Sequence, residues 1–217
     1  MRSVWRLTCL MLLLVLGGTA LSGRNIDKEV AWKASWISSG TTREKPNTWL
    51  NYRKTVNLPN VPTSVTARIA ADSKYWLWIN GKLVVFEGGL KRGPNPLDTY
   101  YDEVEIAPYL RRGENTIAVL LWYFGRPSFA HNDSRKAGLL FDCQTVTFDI
   151  LSDDTWKCEA NPAFGTCSPP DPNMRLAESN IRYDARKEYL TWNQPDFNDA
   201  YMPQAVENGA AGSRPWN

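Results

Sequence analysis

The sequence predicts an all-β domain, an antiparallel β-sandwich or jelly roll, on three observations. Short runs rich in β-branched and aromatic residues recur along the chain, Pro, Gly, Asn and Asp punctuate them, and hardly any stretch repeats with a helical period. The charge pattern adds an exclusion. The 217 residues carry 25 basic and 23 acidic side chains, mixed along the length, for a formal net charge of +2. No basic face points to nucleic acid and no acidic run points to a solvating tail.

The first stretch stands apart from the fold. Arg2 and Arg6 form a basic head, LTCLMLLLVLGG from Leu7 to Gly18 is an apolar run too short to span a bilayer comfortably, and Ala20-Leu21-Ser22 has the small residues of a cleavage site. Residues 1–22 therefore read as a signal peptide, and the mature chain as secreted or periplasmic, with no membrane attachment once it is cleaved. No cysteine follows Ser22 closely enough to take a lipid. Residues 23–208 then form one sandwich domain. The last residues, GAAGSRPWN (209–217), read as a linker toward a further region.

Within the domain, WLNYRKTVNL (Trp49 to Leu58) and SVTARIAA (Ser64 to Ala71) are the first predicted strands. The hairpin ADSKYWLWINGKLV follows, from Ala71 to Val84. Tyr75, Leu77 and Ile79 make one of its rows and Trp76 and Trp78 the other, so both faces need cover. Asn80-Gly81 supplies the positive φ of a tight turn, and Gly113 in LRRGEN the left-handed end of another. NTIAVLLWYF (Asn115 to Phe124) is apolar on both rows, which predicts a central strand covered on both faces. LLFDCQTVTFDIL (Leu139 to Leu151) is the next strand region, and IRYDARKEYLTW with FNDAYMPQAV adds strand and turn rather than a second domain.

Three cysteines follow the signal segment. Cys158 and Cys167 bracket EANPAFGT and are the candidate disulfide of an exported protein, whereas Cys143 lies inside a strand and reads as a small buried hydrophobe. With His131 the lone histidine and no paired cysteine spacing, a His/Cys metal centre is not predicted.

Several segments taken together resemble a known group. DSKYWLWINGKLV, DTYYDEVEIAPYLRRGENTIAVLLWYFG, KAGLLFDC and SDDTWKC, in that order, are similar to the amino-terminal, galactose-binding-like β-sandwich of bacterial α-L-rhamnosidases of glycoside hydrolase family 78, over about Trp32 to Trp216. In that family a catalytic helical toroid follows this region and carries the acid and base. The resemblance therefore implies a non-catalytic accessory or carbohydrate-binding module, with a downstream catalytic domain of the same polypeptide and rhamnose-containing glycans as its partners. An autonomous carbohydrate-binding protein and a glycosidase in its own right are the competing readings.

The acidic residues bear on the last of these. Asp98, Asp102, Glu103 and Glu105 form the densest cluster. Glu103 and Glu105 share one strand row, while Asp102 shares the inward row of Val104 and Ile106, which predicts a solvated face and one buried, hydrogen-bonded aspartate rather than an opposed catalytic pair. Ser128, His131 and Asp133 sit within six residues on one loop, without the strand-turn-helix setting of a nucleophile, and are discounted as a triad.

Sugar-binding candidates come from two polar loops expected on one rim. EGGLKRGPNPLDTYY (Glu87 to Tyr101) and FGRPSFAHNDSRK (Phe124 to Lys136), with Trp122 beside them, offer Glu87, Arg92, Asp98, Tyr100, Trp122, His131 and Asn132. Docking of another domain on the same rim is the competing expectation. Related modules hold L-rhamnose through calcium, and the resemblance implies Asp72 as one ligand. Ser73 stands where those modules have Asn, and Tyr123 where they have a third ligand, so the expected cofactor is none, with Asp72 a weak calcium candidate. Trp76 and Trp78, two indoles on one outward row, are expected to lie under protein, either the amino-terminal segment or a neighbouring domain.

Overall fold

The computed structural model describes residues 31–41, 44–89, 98–129, 131–166 and 176–216. The predicted signal peptide, Arg92 and Cys167 lie outside the described residues. Thirteen strands follow one another as β1 (Ser35–Ser38), β2 (Thr48–Leu58), β3 (Thr66–Asp72), β4 (Lys74–Ile79), β5 (Lys82–Gly89), β6 (Asp102–Glu105), β7 (Gly113–Tyr123), β8 (Gly138–Gln144), β9 (Asp149–Leu151), β10 (Lys157–Ala160), β11 (Phe164–Thr166), β12 (Ile181–Tyr183) and β13 (Val206–Ala210). Two short 3-10 turns interrupt them, and no α-helix occurs among the described residues.

The strands form two main antiparallel sheets. The first has the order β13-β1-β8-β3-β6, with β9 also paired to β8, and the second the order β10-β2-β7-β4-β5; β11 and β12 make a separate ladder. The longest pairing is β2 with β7, unbroken from Thr48 opposite Tyr123 to Leu58 opposite Gly113. The β4–β5 hairpin turns at Asn80 and Gly81, with φ of 51° and 77°, the conformation for which this dipeptide is suited. The Asn80 amide reaches Tyr109 O and Asn115 Oδ1 at 2.9 and 2.8 Å, which ties the turn to the start of β7.

The period-two alternation of each strand builds three apolar layers. Between the sheets lie Tyr52, Ile69, Tyr75, Leu77, Ile79, Ile117, Val119, Leu121, Leu139, Phe141 and Trp156. The opposite row of β7, Ala118, Leu120 and Trp122, joins Trp49, Phe124 and Trp192 on the outer face of the second sheet. On the outer face of the first sheet Trp36, Ala70, Leu140 and Trp216 form the third layer. β7 is thus covered on both faces, as its composition predicts.

Two expectations are corrected by this packing. Trp76 and Trp78 do face outward, but the chain covers them itself: Trp76 stacks on Trp49 with centroids 5.5 Å apart, and Trp78 meets Trp192 edge-on at 5.6 Å. Over Trp78 the cover is a later segment of the chain, which brings Trp192. It is pinned by Arg53, only 1% exposed, whose guanidinium pairs with Asp199 at 3.0 Å, donates to the carbonyls of Trp192 and Gln194, and lies over the Phe197 ring. Residues 209–216, read as linker, are part of the fold: Gly209 and Ala210 belong to β13, paired with β1, and Trp216 is fully buried on Trp36, centroids 4.6 Å apart and nearly parallel. The expected Cys158–Cys167 bridge rests on Cys167, outside the described residues; Cys158 itself is buried on β10 against Tyr52. Burial pushes that thiol well above its usual range, and pushes Cys143 up to about 12.

Candidate functional site

Of the two loops expected to form a rim, the one from Phe124 to Lys136 leaves β7 beside the passage from β3 into β4, and residues 90–97 of the other lie outside the described residues. Asp72 closes β3 opposite Gly138, and both Asp72 and Ser73 are fully buried. Ser73 Oγ donates to Asp72 Oδ1 at 2.9 Å and accepts the Phe124 N–H at 3.2 Å, stitching the start of β4 to the end of β7. His131 enters from the loop. Its Nε2 lies 3.5 Å from Ser73 Oγ and 4.0 Å from Asp72 Oδ1, and its ring meets Phe124 edge-on at 5.2 Å. Asp133 stands beside the Tyr123 phenol. Burial, then the Asp133 and Asp72 charges, hold that phenol well above its usual range, so Tyr123 is a neutral donor at all ordinary pH.

The predicted sugar-binding residues do not converge on one open surface. Trp122 is 6% exposed, stacked on Trp49 at 4.5 Å, and its indole N–H is spent on Asn47 Oδ1 at 2.8 Å. His131 is 4% exposed, so neither ring presents a face to a sugar. Glu87 is exposed on edge strand β5, where it pairs with Lys74 at 3.5 Å. Asp98 and Tyr100 are exposed ahead of β6, and Asn132 is half-buried. The physical reason is plain from the strands: Trp122 lies on the outer row of a central strand, which the chain's own later segment roofs.

What the structure does assemble is a polar knot that the sequence showed only in part. One donor atom each from Asp72, His131 and Asp133 lie within 4.8 Å of one another. Calcium takes six to eight oxygen ligands. A set of two carboxylates and an imidazole, with Ser73 already hydrogen-bonded to Asp72, does not fit it. Nor is the Ser73–His131–Asp72 group a nucleophile. The hydroxyl proton is given to Asp72 rather than to the imidazole, and the oxygen is fully buried. Asp72 and His131 were visible in the sequence; Ser73 as their bridge was not, because 58 residues separate it from His131.

Asp102 is hydrogen-bonded as its strand row predicts, though half-buried rather than buried. It accepts the Tyr75 phenol at 2.8 Å and the Gly89 N–H at 3.0 Å, while Glu103 and Glu105 face solvent. Glu105 caps a turn: Ser64 Oγ, then the Val65 and Ala107 N–H groups, hold its carboxyl below the usual range.

The fold recurs in known structures. A GH78-family rhamnosidase of Bacillus sp. GL1 is 30% identical with a TM-score of 0.76, over 86% of this chain and 19% of that one. The sandwich resembles one domain of a GH78 rhamnosidase. The α-L-rhamnosidase of Dictyoglumus thermophilum matches over 85% of the chain and 22% of its own length, at 22% identity and a TM-score of 0.64. A lectin from Pleurotus ostreatus shares the sandwich at 18% identity and a TM-score of 0.50. No family model matches the sequence, and no curated protein does. The rhamnosidase-like sandwich thus spans about a fifth of the enzymes it resembles. No helix among the described residues is long and apolar enough to cross a membrane.

Proposed function

We propose that this chain is the accessory β-sandwich of an α-L-rhamnosidase-like glycoside hydrolase, an exported module that lacks catalytic groups and works beside a catalytic domain of the same polypeptide. The observation that carries this reading is the 30% identity over 86% of the chain to a rhamnosidase of which it spans only 19%. Those proportions suit one domain of a larger enzyme.

The carboxylates support the reading from the other side. An inverting glycosidase sets two carboxyl groups roughly 6.5–9.5 Å apart across a cleft, one of raised pKa. Here Asp102 is spent on Tyr75 and Gly89, Glu105 on a turn, and Asp142 on Arg68 and two backbone N–H groups. Asp142 and Glu105 are held below, not above, the usual range. No cofactor enters this reading. The test is the purified chain with an aryl α-L-rhamnoside, where no turnover above buffer is expected. Turnover abolished by Asp102→Asn or Glu103→Gln, with the melting curve unchanged, overturns the proposal and makes the acidic cluster a site.

A further inference from the structure

The polar knot at the end of β3 lies where the chain crosses twice between the sheets. Asp72 is the last residue of β3 in the first sheet, and Ser73 leads straight into β4 in the second. His131 and Asp133 come from the loop that leaves β7 in the second sheet and enters β8 in the first. We propose that Asp72, His131 and Asp133 bind one zinc ion, which fastens this loop to the crossing from β3 into β4.

The geometry carries the assignment. One oxygen of each carboxylate and one imidazole nitrogen lie within 4.8 Å of one another, and His131 Nε2 stands 4.0 Å from Asp72 Oδ1. Zinc holds nitrogen and oxygen ligands about 2.0–2.2 Å away, so two of its ligands stand about 3.4 Å apart at a tetrahedral angle and about 4.2 Å apart across the ion. The gap between His131 and Asp72 falls inside that span, and a shift of about an ångström closes the set. The loop is folded to deliver both of its ligands. Ser128 and His131 exchange backbone N–H to carbonyl bonds at 3.0 and 3.4 Å, and Ser134 Oγ bonds the Lys136 carbonyl and N–H at 2.8 and 3.2 Å. Between those two turns His131 and Asp133 stand two residues apart, a spacing that puts both on one side of an extended stretch.

The surroundings suit an ion. Asp72 is fully buried and His131 is 4% exposed, while Asp133 Oδ1 is a buried oxygen that accepts no hydrogen bond. A carboxylate oxygen taken from water without a donor is costly, and a cation beside it replaces what water supplied. Asp133, Asp72 and Glu44 all stand close enough for their charges to act on the Tyr123 phenol, so negative charge gathers here. Two of the ligands are already oriented: Ser73 Oγ donates to Asp72 Oδ1 at 2.9 Å, and the His131 ring is held edge-on by Phe124. The donor set then selects the metal. Calcium and magnesium take oxygen ligands, whereas an imidazole with two carboxylates suits zinc and its late first-row neighbours. A water molecule completes four-coordination.

The test uses the whole purified chain, prepared without a histidine tag, stripped with EDTA and dialysed into metal-free buffer, with Zn²⁺ as the probe in calorimetric titration and thermal melting. One ion per chain is expected, with a Kd of about 1 μM or tighter. At a hundredfold excess of Zn²⁺ over Kd, Tm should rise by roughly 5–10 °C. Co²⁺ in place of Zn²⁺ should give the visible bands of a four-coordinate site, bleached when Zn²⁺ is added. Asp133→Asn, a nearly isosteric change at a half-buried position, should weaken Zn²⁺ about a hundredfold and remove the Co²⁺ bands. His131→Gln should do the same, and Asp133→Asn decides alone if that variant does not fold. Asp98→Asn, exposed ahead of β6, should change neither reading. A Tm unmoved by Zn²⁺ overturns the proposal. Binding as tight in Asp133→Asn as in the parent overturns it as well, by showing an adventitious ion only, and a Tm raised by Ca²⁺ but not by Zn²⁺ overturns it in favour of an oxygen site. The accessory role is untouched by any of these results, because the hydrolysis assay tests it separately.

Discussion

Asp142 shows how one side chain organises two elements. Burial alone would raise its pKa, but the Arg68 guanidinium, the Gln144 amide and the N–H groups of Lys33 and Ala34 together pull it below the usual aspartate range. A carboxyl depressed in the folded state contributes stability that is fully present above its unfolded value of about 3.8 and is lost as pH falls through the lower folded value. Acid unfolding below about pH 4 should therefore be steepened by this residue, and Asp142→Asn should flatten it. At neutral pH the same substitution leaves the nearly buried Arg68 without its counter-charge, which costs about 3 kcal/mol. Urea unfolding at neutral pH and across the acid limb checks both effects, and an unchanged midpoint at neutral pH rules the ion pair out as a support. Asp142 was not legible in the sequence. Its partner lies 74 residues away, and LLFDCQ displays only a polar residue on the outward row of a strand.

At the scale of elements, strand alternation was readable and the identity of the cover was not. Rows such as Tyr75-Leu77-Ile79 against Trp76-Trp78 follow from period two alone, and the structure puts the first in the core and the second outside. What roofs the outer row depends on where a polar, irregular segment returns, and Gln, Asn and Asp residues carry no period to say so. Arg53 decides it here, by gathering the carbonyls of Trp192 and Gln194 and the carboxylate of Asp199 onto the outer face of β2. Two bulky indoles therefore stabilise the isolated chain instead of burdening it. Trp78→Thr, a good strand former, should cost about 2 kcal/mol, less than a fully buried Trp because Trp78 is half-exposed. That corresponds to a fall of roughly 4–8 °C in Tm. A rise in Tm or in solubility on this substitution would mean that the indoles await another domain after all.

For the whole molecule, the described chain is laced together by its far end. β13 adds to the edge of the first sheet beside β1, and the chain then turns so that Trp216 lies flat on Trp36 over β8. The contact is close enough to dictate a glycine. A methyl group added at Gly138 would stand 2.6 Å from the Trp216 ring and 3.0 Å from that of Trp36, so the two indoles pack directly on bare backbone. Polar contacts fix the ring in place: its N–H reaches Lys136 O at 3.3 Å, the Lys136 ammonium lies over it at 5.5 Å, and Thr99 grips its carbonyl. Small residues around Trp216, GAAGSRP, read in the sequence as a trailing linker, because nothing local announces that a single aromatic will be captured by a glycine 78 positions earlier. The arrangement predicts a large effect from a residue next to the end of the sequence. Trp216→Ala removes a fully buried indole and should cost about 4 kcal/mol, a fall of roughly 10 °C in Tm, while Gly138→Ala should reproduce part of it by lifting the ring. Calorimetry of the two variants beside the parent chain measures this directly. A linker predicts no change in either variant, so an unaltered Tm for Trp216→Ala would free residues 209–216 from the fold and remove the brace behind Trp36.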